Sequence, residues 1–316
     1  NYLIFKTSFQ HMVDSEDLYA EHTDEHWDLF KYSPTFAVSM GALQPLPDWL
    51  GLSLWNLVNI LILYIALLRL PGMQRKRAWI FLFITLVEAI TSMQNAQSNL
   101  LMVGLGLMAF SDLEDGRNVR AALWVSLSVF IKLFGAAFFV WFIFYPNKLR
   151  SAGATLLWMA LLLSAPLILV GPEELLWQYE NWGRMLQNDH DASYGMSVMG
   201  WFHSWTGADI SKLGTLAFGT VLMLLPLIQV SKYRSLRFRY YMVSSLLLWS
   251  VIFNHKAESP TFIIAVAGFA LWYLWQKRSF LSDALLSLVI LLTVLSSTDL
   301  IPPSIREDFI MPLQLK

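Results

Sequence analysis

Cysteine is absent from this chain of 316 residues, and charge is scarce, with Asp, Glu, Lys and Arg together making up 14%. No disulfide framework, thiolate nucleophile or cysteine-based metal site is therefore available. A soluble domain carries about 25% charged residues. Here 56% of the residues are hydrophobic and the mean hydropathy is +0.50, which reads as a polytopic membrane protein. A net charge of −1 provides no basic field for nucleic acid. The sequence contains no GxxxxGK[ST] phosphate loop, no Rossmann glycine fingerprint and no GxSxG elbow. Those absences disfavour a soluble nucleotide-sugar donor and serine hydrolysis. The chain opens on Asn1 rather than Met and carries no signal peptide, so it reads as a piece of a longer protein.

Apolar runs of membrane-helix character cover residues 49–70, 79–91, 100–110, 154–170, 213–230, 240–253, 262–275 and 284–296. Basic residues between them set an orientation, because loops rich in Lys and Arg stay in the cytoplasm. Arg75, Lys76 and Arg77 mark one such loop, and Lys232, Arg234, Arg237 and Arg239 mark the strongest. The apolar run 121–145 has basic flanks on both sides, Arg117 and Arg120 before it and Lys148 and Arg150 after it. A single crossing would leave one flank outside. The charge bias instead predicts a short helical hairpin turning near residues 132–135, with irregular backbone tolerated where it lines a cavity. Residues 1–12 have the mixed pattern of a helix lying along the membrane surface. Residues 14–28 read as an acidic loop, and 171–212 as a long polar loop rich in Trp. The fold expected is an all-α membrane helix bundle in a single domain over 1–316.

Counting spans sends four polar clusters to the extracytoplasmic face: residues 14–32, 94–99, 187–203 and 255–258. The last is the most unusual. Phe253-Asn254-His255-Lys256-Ala257-Glu258-Ser259-Pro260 places an imidazole, an ammonium and a carboxylate between two apolar runs. Ionisable groups at such depth are costly and usually face a cavity, although an interfacial turn is the plainer alternative. Lys132, inside an apolar run, is a candidate phosphate contact or a snorkelling lysine. Asp189, His190 and Trp201 lie in a stretch suited to a sugar, with polar groups for hydroxyls and aromatic faces for pyranose rings. His22 and His26 would share a helical face, but Glu25 does not complete an HExxH pattern, and a solvated acidic loop is expected there. Asp17 stands out because Leu18 and Tyr19 hold it near the membrane surface.

Asp17-Leu18-Tyr19, then Tyr32-Ser33-Pro34-Thr35-Phe36-Ala37, then Leu46-Pro47 with Leu54-Trp55-Asn56-Leu57-Val58-Asn59, resembles glycosyltransferase family 87. Asn95-Ala96-Gln97-Ser98-Asn99 is similar to that family's Gly-Gln-x-Asn signature, and Ile131-Lys132-Leu133-Phe134 to its lysine in a short helix pair, without the proline that follows there. The segment from Phe253 to Phe262 looks like that of Bacteroidetes-type members. The family's catalytic aspartate sits in an Asp-x-x-Val-Tyr pattern, and the matching stretch here is Asn1-Tyr2-Leu3-Ile4-Phe5, with an amide in its place. Members also begin with a membrane helix ahead of this point, so the resemblance implies truncation.

The resemblance implies a GT-C-type bundle in the cytoplasmic membrane with its site on the extracytoplasmic face. It implies an inverting transfer of a hexose, as in the mannosyltransferases of this class, from a polyprenyl-phosphate sugar to a glycan or glycolipid acceptor. Membrane lipid is the other expected partner, and neither a metal nor a cofactor is expected. Asp17 or Glu258 would act as base with His255, and Lys132 and Lys256 would hold the donor phosphate. Asn1, Tyr19, Tyr32, Gln94, Gln97, Asn99, Asp189, His190 and Trp201 would contact sugar or acceptor. The alternatives are a flippase or transporter of a lipid-linked sugar, against which the absence of an internal repeat weighs, and a catalytically inactive relative.

Overall fold

The computed structural model describes residues 1–189, 194–296, 298, 301–310, 312–314 and 316. Among the described residues it is 74% helical with no strand. In chain order the helices are α1 (Tyr2–Val13), α2 (Pro34–Met40), α3 (Asp48–Arg69), α4 (Arg75–Gln94), α5 (Asn99–Glu114) and α6 (Asn118–Ile131). A 3-10 arm (Leu133–Phe144) precedes α7 (Lys148–Ser164), α8 (Pro172–Asp189), α9 (Val198–Thr206) and α10 (Lys212–Leu224). The chain continues through α11 (Leu236–Ile252), α12 (Phe262–Trp275), α13 (Phe280–Leu288) and a one-turn α14 (Pro303–Ile305). They form two compact units, Asn1–Pro71 with Met93–Ala192, and Gly72–Ser92 with Ser193–Lys316.

Three helical stretches among the described residues are long and apolar enough to cross a membrane: Asp48–Arg69, Arg75–Gln94 and Lys148–Ile168. At about 1.5 Å per residue, the 22 residues of α3 reach about 33 Å, which matches a hydrocarbon core of about 30 Å. Trp55, Asn59, Leu63, Ala66 and Leu67 recur every three or four positions on its buried face. Leu57, Val58, Leu61, Ile65 and Leu68 are exposed on the other side, as lipid-facing residues must be. In the first unit α5 is the central element, with every residue from Asn99 to Leu113 buried.

The hairpin expected in run 121–145 is present. Helix α6 ends at Ile131, Lys132 is extended (φ −141°, ψ 126°), and the 3-10 arm follows. Asn118 at the start of α6 donates to the Pro146 carbonyl (3.1 Å) and to Ser151 Oγ (2.6 Å), so the second arm returns to the start of the first. Gly135 sits at the bend because a Cβ there would lie 2.6 Å from the Ser128 carbonyl carbon.

Two expectations are corrected. Residues 1–12 do form a helix, but it is not a surface helix. Ile4, Phe5, Ser8 and Met12 are buried, and the Phe5 ring packs edge-on against Tyr32, Phe36 and Trp55. An amphipathic stripe specifies burial without specifying whether lipid or protein supplies the partner. The stretch 171–212 is not one long loop, since it contains α8 and α9. Helix α8 starts at Pro172 with Glu173 and Glu174 in its first turn, favourable placements at a helix N-terminus. Its buried positions Leu175, Gln178, Asn181 and Met185 keep the helical spacing.

One end of the first unit is tied by one buried carboxylate. Asp112 is fully buried and meets Arg69 Nη2 (2.5 Å), Arg120 Nε (3.3 Å), Arg117 Nη1 (3.4 Å) and Trp124 Nε1 (2.7 Å). It thereby joins α3, α5 and α6. Removing one partner of such a network is destabilising because the charge left behind is poorly solvated. Asp112→Leu is expected to cost on the order of 3 kcal/mol, near the low end of the usual range because Arg117 and Arg120 reach solvent. A detergent melting curve unchanged from wild type would show that the arginines are satisfied elsewhere.

In the second unit α11 pairs with α12, which is buried along nearly its whole length. Tyr240 stacks on Trp275 at 4.0 Å, and the Arg77 guanidinium lies 5.0 Å from the same indole. Glu88 of α4, fully buried, faces Lys316 Nζ at 3.2 Å, and Lys316 donates to Ser259 Oγ at 2.6 Å.

Candidate active site

In the first unit the site is built from three backbone devices. The first is the Ser33-Pro34 step. Ser33 is extended, so its side chain caps α2 by accepting the Phe36 N–H. The same hydroxyl donates to the Phe130 carbonyl at 2.5 Å, which fastens Tyr32 to the last turn of α6. The second device is the break at Lys132, which turns that side chain away from the helix axis. The third is the turn between α4 and α5. Ala96 has φ 50°, a left-handed conformation that costs an alanine about 1–2 kcal/mol. Trp55 Nε1 donates to its carbonyl at 2.9 Å and holds it there. Strain of this kind gathers at functional sites. Its effect here is to present Gln97 and Asn99 to Lys132.

Lys132 Nζ donates to Asn99 Oδ1 at 2.7 Å and to Gln97 Oε1 at 3.4 Å, and lies 5.9 Å from the centre of the Tyr32 ring. The Tyr32 hydroxyl is 3.4 Å from both Gln97 Oε1 and Ser98 Oγ. Amide oxygens and an aromatic face orient the ammonium. Asn1 Nδ2 donates to the Asn95 carbonyl at 2.8 Å, on the same turn.

Behind Tyr32 stands Tyr19. Its hydroxyl donates to the Tyr32 carbonyl at 2.9 Å, and the ring is buried. Burial first, then the nearby Tyr179 and Asp17, push this phenol well above its ordinary pKa, so it stays neutral. Tyr19 therefore holds Tyr32 in place and does not present its own hydroxyl to a ligand. Asp17 sits in a loop pinned from several directions. Its Oδ1 accepts the Tyr19 N–H (2.9 Å) and its carbonyl meets His22 Nε2 (2.9 Å). Gln178 of α8 accepts the Leu18 N–H (3.3 Å) and donates to the Glu16 carbonyl (2.6 Å). A loop carboxylate with its backbone held in this way is pre-positioned. Gln94 ends α4 and is exposed.

The second unit joins parts of the other two polar clusters. Met196 N–H donates to the Ala257 carbonyl at 2.7 Å. Gly195 (φ 53°) lies so close to the backbone of His255 and Ala257 that a Cβ would not fit. His255 and Lys256 are half-buried on this turn. Glu258 is exposed, and its side chain accepts the Thr261 N–H in a capping box at the start of the 3-10 turn Ser259–Thr261 that leads into α12. That contact gives the carboxylate a structural task. Trp201 is exposed and packs on Trp205 with centroids 4.6 Å apart. His190 and the Asp189 side chain lie outside the described residues.

The profile of glycosyltransferase family 87 matches residues 30–298, most of the chain. The chain belongs to glycosyltransferase family 87. No curated protein matches it. The matched stretch of this family 87 glycosyltransferase includes Tyr32, Gln97, Asn99, Lys132 and the turn 255–258, and it begins after Asn1, Asp17 and Tyr19. Ser33, Gln178 and His11 of this glycosyltransferase carry no signal of a site role in the sequence. The first two act through contacts nearly 100 and more than 150 residues away, for which no local pattern exists. His11 at the end of α1 is buried, and one ligand atom each from His11, Glu16 and His22 lies within 4.8 Å of the others.

Proposed function

We propose that this membrane glycosyltransferase moves a hexose, with mannose the first candidate, from a polyprenyl-phosphate sugar to a glycan or glycolipid acceptor, with inversion. The observation that carries the reading is Lys132, an ammonium at a broken membrane hairpin held by Asn99, Gln97 and Tyr32. In the proposed step Asp17 takes the proton of the acceptor hydroxyl, whose oxygen attacks the anomeric carbon from the face opposite the phosphate. The bond from the anomeric carbon to the phosphate oxygen breaks, and its electron pair goes to that oxygen. Lys132 balances the charge developing there, while Gln97, Asn99 and Tyr32 contact the sugar. The apolar arm that starts at Lys132 supports a lipid donor. Its Phe139, Phe142 and Ile143 line a cavity of about 420 Å³ whose other wall is α7, with Lys148, Ser151, Thr155 and Leu156.

The test is transfer of label from a polyprenyl-phosphate [14C]mannose donor by the full-length protein in detergent, with the anomeric configuration of donor and product compared. Product of retained configuration, or no consumption of a panel of polyprenyl-phosphate hexoses, would overturn the reading. His255→Ala belongs in the same assay, and wild-type turnover by that variant removes His255 from the reaction.

The proposed orientation puts the 14–32 loop outside the cytoplasmic membrane. The chain has no native cysteine, so single cysteines report without background. Cysteine at Ser15 and at Ser259 is expected to react with an impermeant maleimide from outside, and cysteine at exposed Ser235 only after permeabilisation. Labelling of Ser15 and Ser235 positions from the same side would sink this orientation.

A further inference from the structure

The turn after α1 folds back on itself. Ser15 takes a left-handed φ of 58°, and Glu16 N–H donates to the His11 carbonyl at 2.8 Å. The return brings Glu16, His22 and Glu25 against the buried end of α1. His11 is 4% exposed, yet its Nε2 makes no hydrogen bond. It faces two carboxylates instead, Glu25 Oε2 at 2.9 Å and Glu16 Oε2 at 3.8 Å. The His22 ring stacks on His11 with centroids 3.8 Å apart.

We propose that His11, Glu16 and His22, with Glu25 at the edge, form a binding site for a divalent cation of the zinc class. Two independent observations support it. The first is the spacing. With metal–nitrogen bonds of about 2.0–2.1 Å, the ligand atoms of a tetrahedral site lie about 3.3 Å apart. The pairs here stand at 2.9 Å, at 3.8 Å and within 4.8 Å. Closing His11, Glu16 and His22 on one ion asks the widest pair to approach by up to about 1.5 Å. The second is the contact behind His22. Its Nε2 meets the Asp17 carbonyl at 2.9 Å. Donation of that N–H to a backbone carbonyl fixes the tautomer and leaves Nδ1 as the lone-pair nitrogen, the outer contact that metal-binding histidines characteristically make. Two imidazoles with carboxylates suit zinc and its first-row neighbours better than Mg²⁺ or Ca²⁺, which prefer all-oxygen shells.

The ion fastens the loop to α1 and, through His22, holds the backbone of Asp17. It takes no part in the transfer step. The consequence for Asp17 rests on the function proposed above, whereas the site itself does not, and the test reads binding without reading transfer.

Full-length protein in detergent is loaded with Zn²⁺, freed of loose metal on a desalting column and analysed for metal content. About one ion per chain is expected to remain. Loading with Co²⁺ instead is expected to give the intense visible bands of a four-coordinate ion. In a His11→Ala/His22→Ala variant, affinity for Zn²⁺ should fall by more than about 100-fold, beyond the 10–100-fold loss typical of an outer partner. The cobalt spectrum of wild-type protein stands even if that variant fails to fold. Loss of all zinc on desalting, a pale six-coordinate cobalt spectrum, or equal zinc retention by a folded double variant would each overturn the proposal.

Discussion

Lys132→Gln is expected to lower kcat for glycosyl transfer by about 10²–10³-fold, the scale seen when one group that stabilises developing charge is removed from an enclosed site. Gln keeps an amide that can still meet Asn99 and Gln97, so the local hydrogen bonds survive and only the charge goes. Lys132 is half-buried and ends a helix whose termination is set by the backbone, so the melting temperature should change little. Lys132→Arg should recover part of the rate, because it restores charge with a different donor geometry. The rates come from the labelled-donor assay, with melting curves on the same preparations. A Gln variant that turns over at the wild-type rate would remove Lys132 from the phosphate site. Loss of activity together with loss of folding in both variants would mark the residue as structural.

Asp17→Asn carries the second large effect, a fall in kcat of about 10²–10⁴-fold, the contribution of a positioned general base. The substitution is nearly isosteric. The amide oxygen still accepts the Tyr19 N–H, and the contacts from His22 and Gln178 go to backbone atoms that do not change. The loop should therefore keep its shape and donor binding should persist, so the loss should appear in kcat and not in the donor KM. Glu258→Gln is the comparison. The Glu258 side chain caps a helix, and its amide replacement is expected to cost stability of about 1 kcal/mol or less with transfer retained. If the two variants exchange these outcomes, Glu258 is the base and the proposed role of Asp17 is wrong.

The contrast between those two carboxylates shows where local pattern stops. Both stand in polar stretches beside apolar runs, and the sequence ranks them equally. The capping role of Glu258 is written locally, in Glu258-Ser259-Pro260-Thr261, because a cap satisfies N–H groups within one turn. The setting of Asp17 is not local. It depends on Gln178, 160 residues beyond Leu18, reaching back to the 16–18 backbone.

Composition and charge bias by themselves determined the helical class, the runs 49–70, 79–91 and 154–170 that fall in helices long and apolar enough to cross a membrane, and the break at Lys132. These follow from the cost of unpaired backbone in lipid and from the placement of basic loops, and both are properties of a segment and its immediate flanks. The same reasoning marked Tyr32, Gln97, Asn99 and Lys132 as polar candidates. It did not show that they meet. Tyr32 lies 65 residues from Gln97, and Lys132 lies 33 residues beyond Asn99. Their approach depends on α5 being buried at the centre of its unit, on Ser33 reaching Phe130, and on Trp55 holding a left-handed alanine. The tertiary structure also decided that α1 buries its stripe against protein, and that its last turn brings His11 to Glu16, Glu25 and His22. A helical period records which neighbours within a turn share a face. It carries no record of which distant face will cover them, because that is settled by packing among all the elements at once.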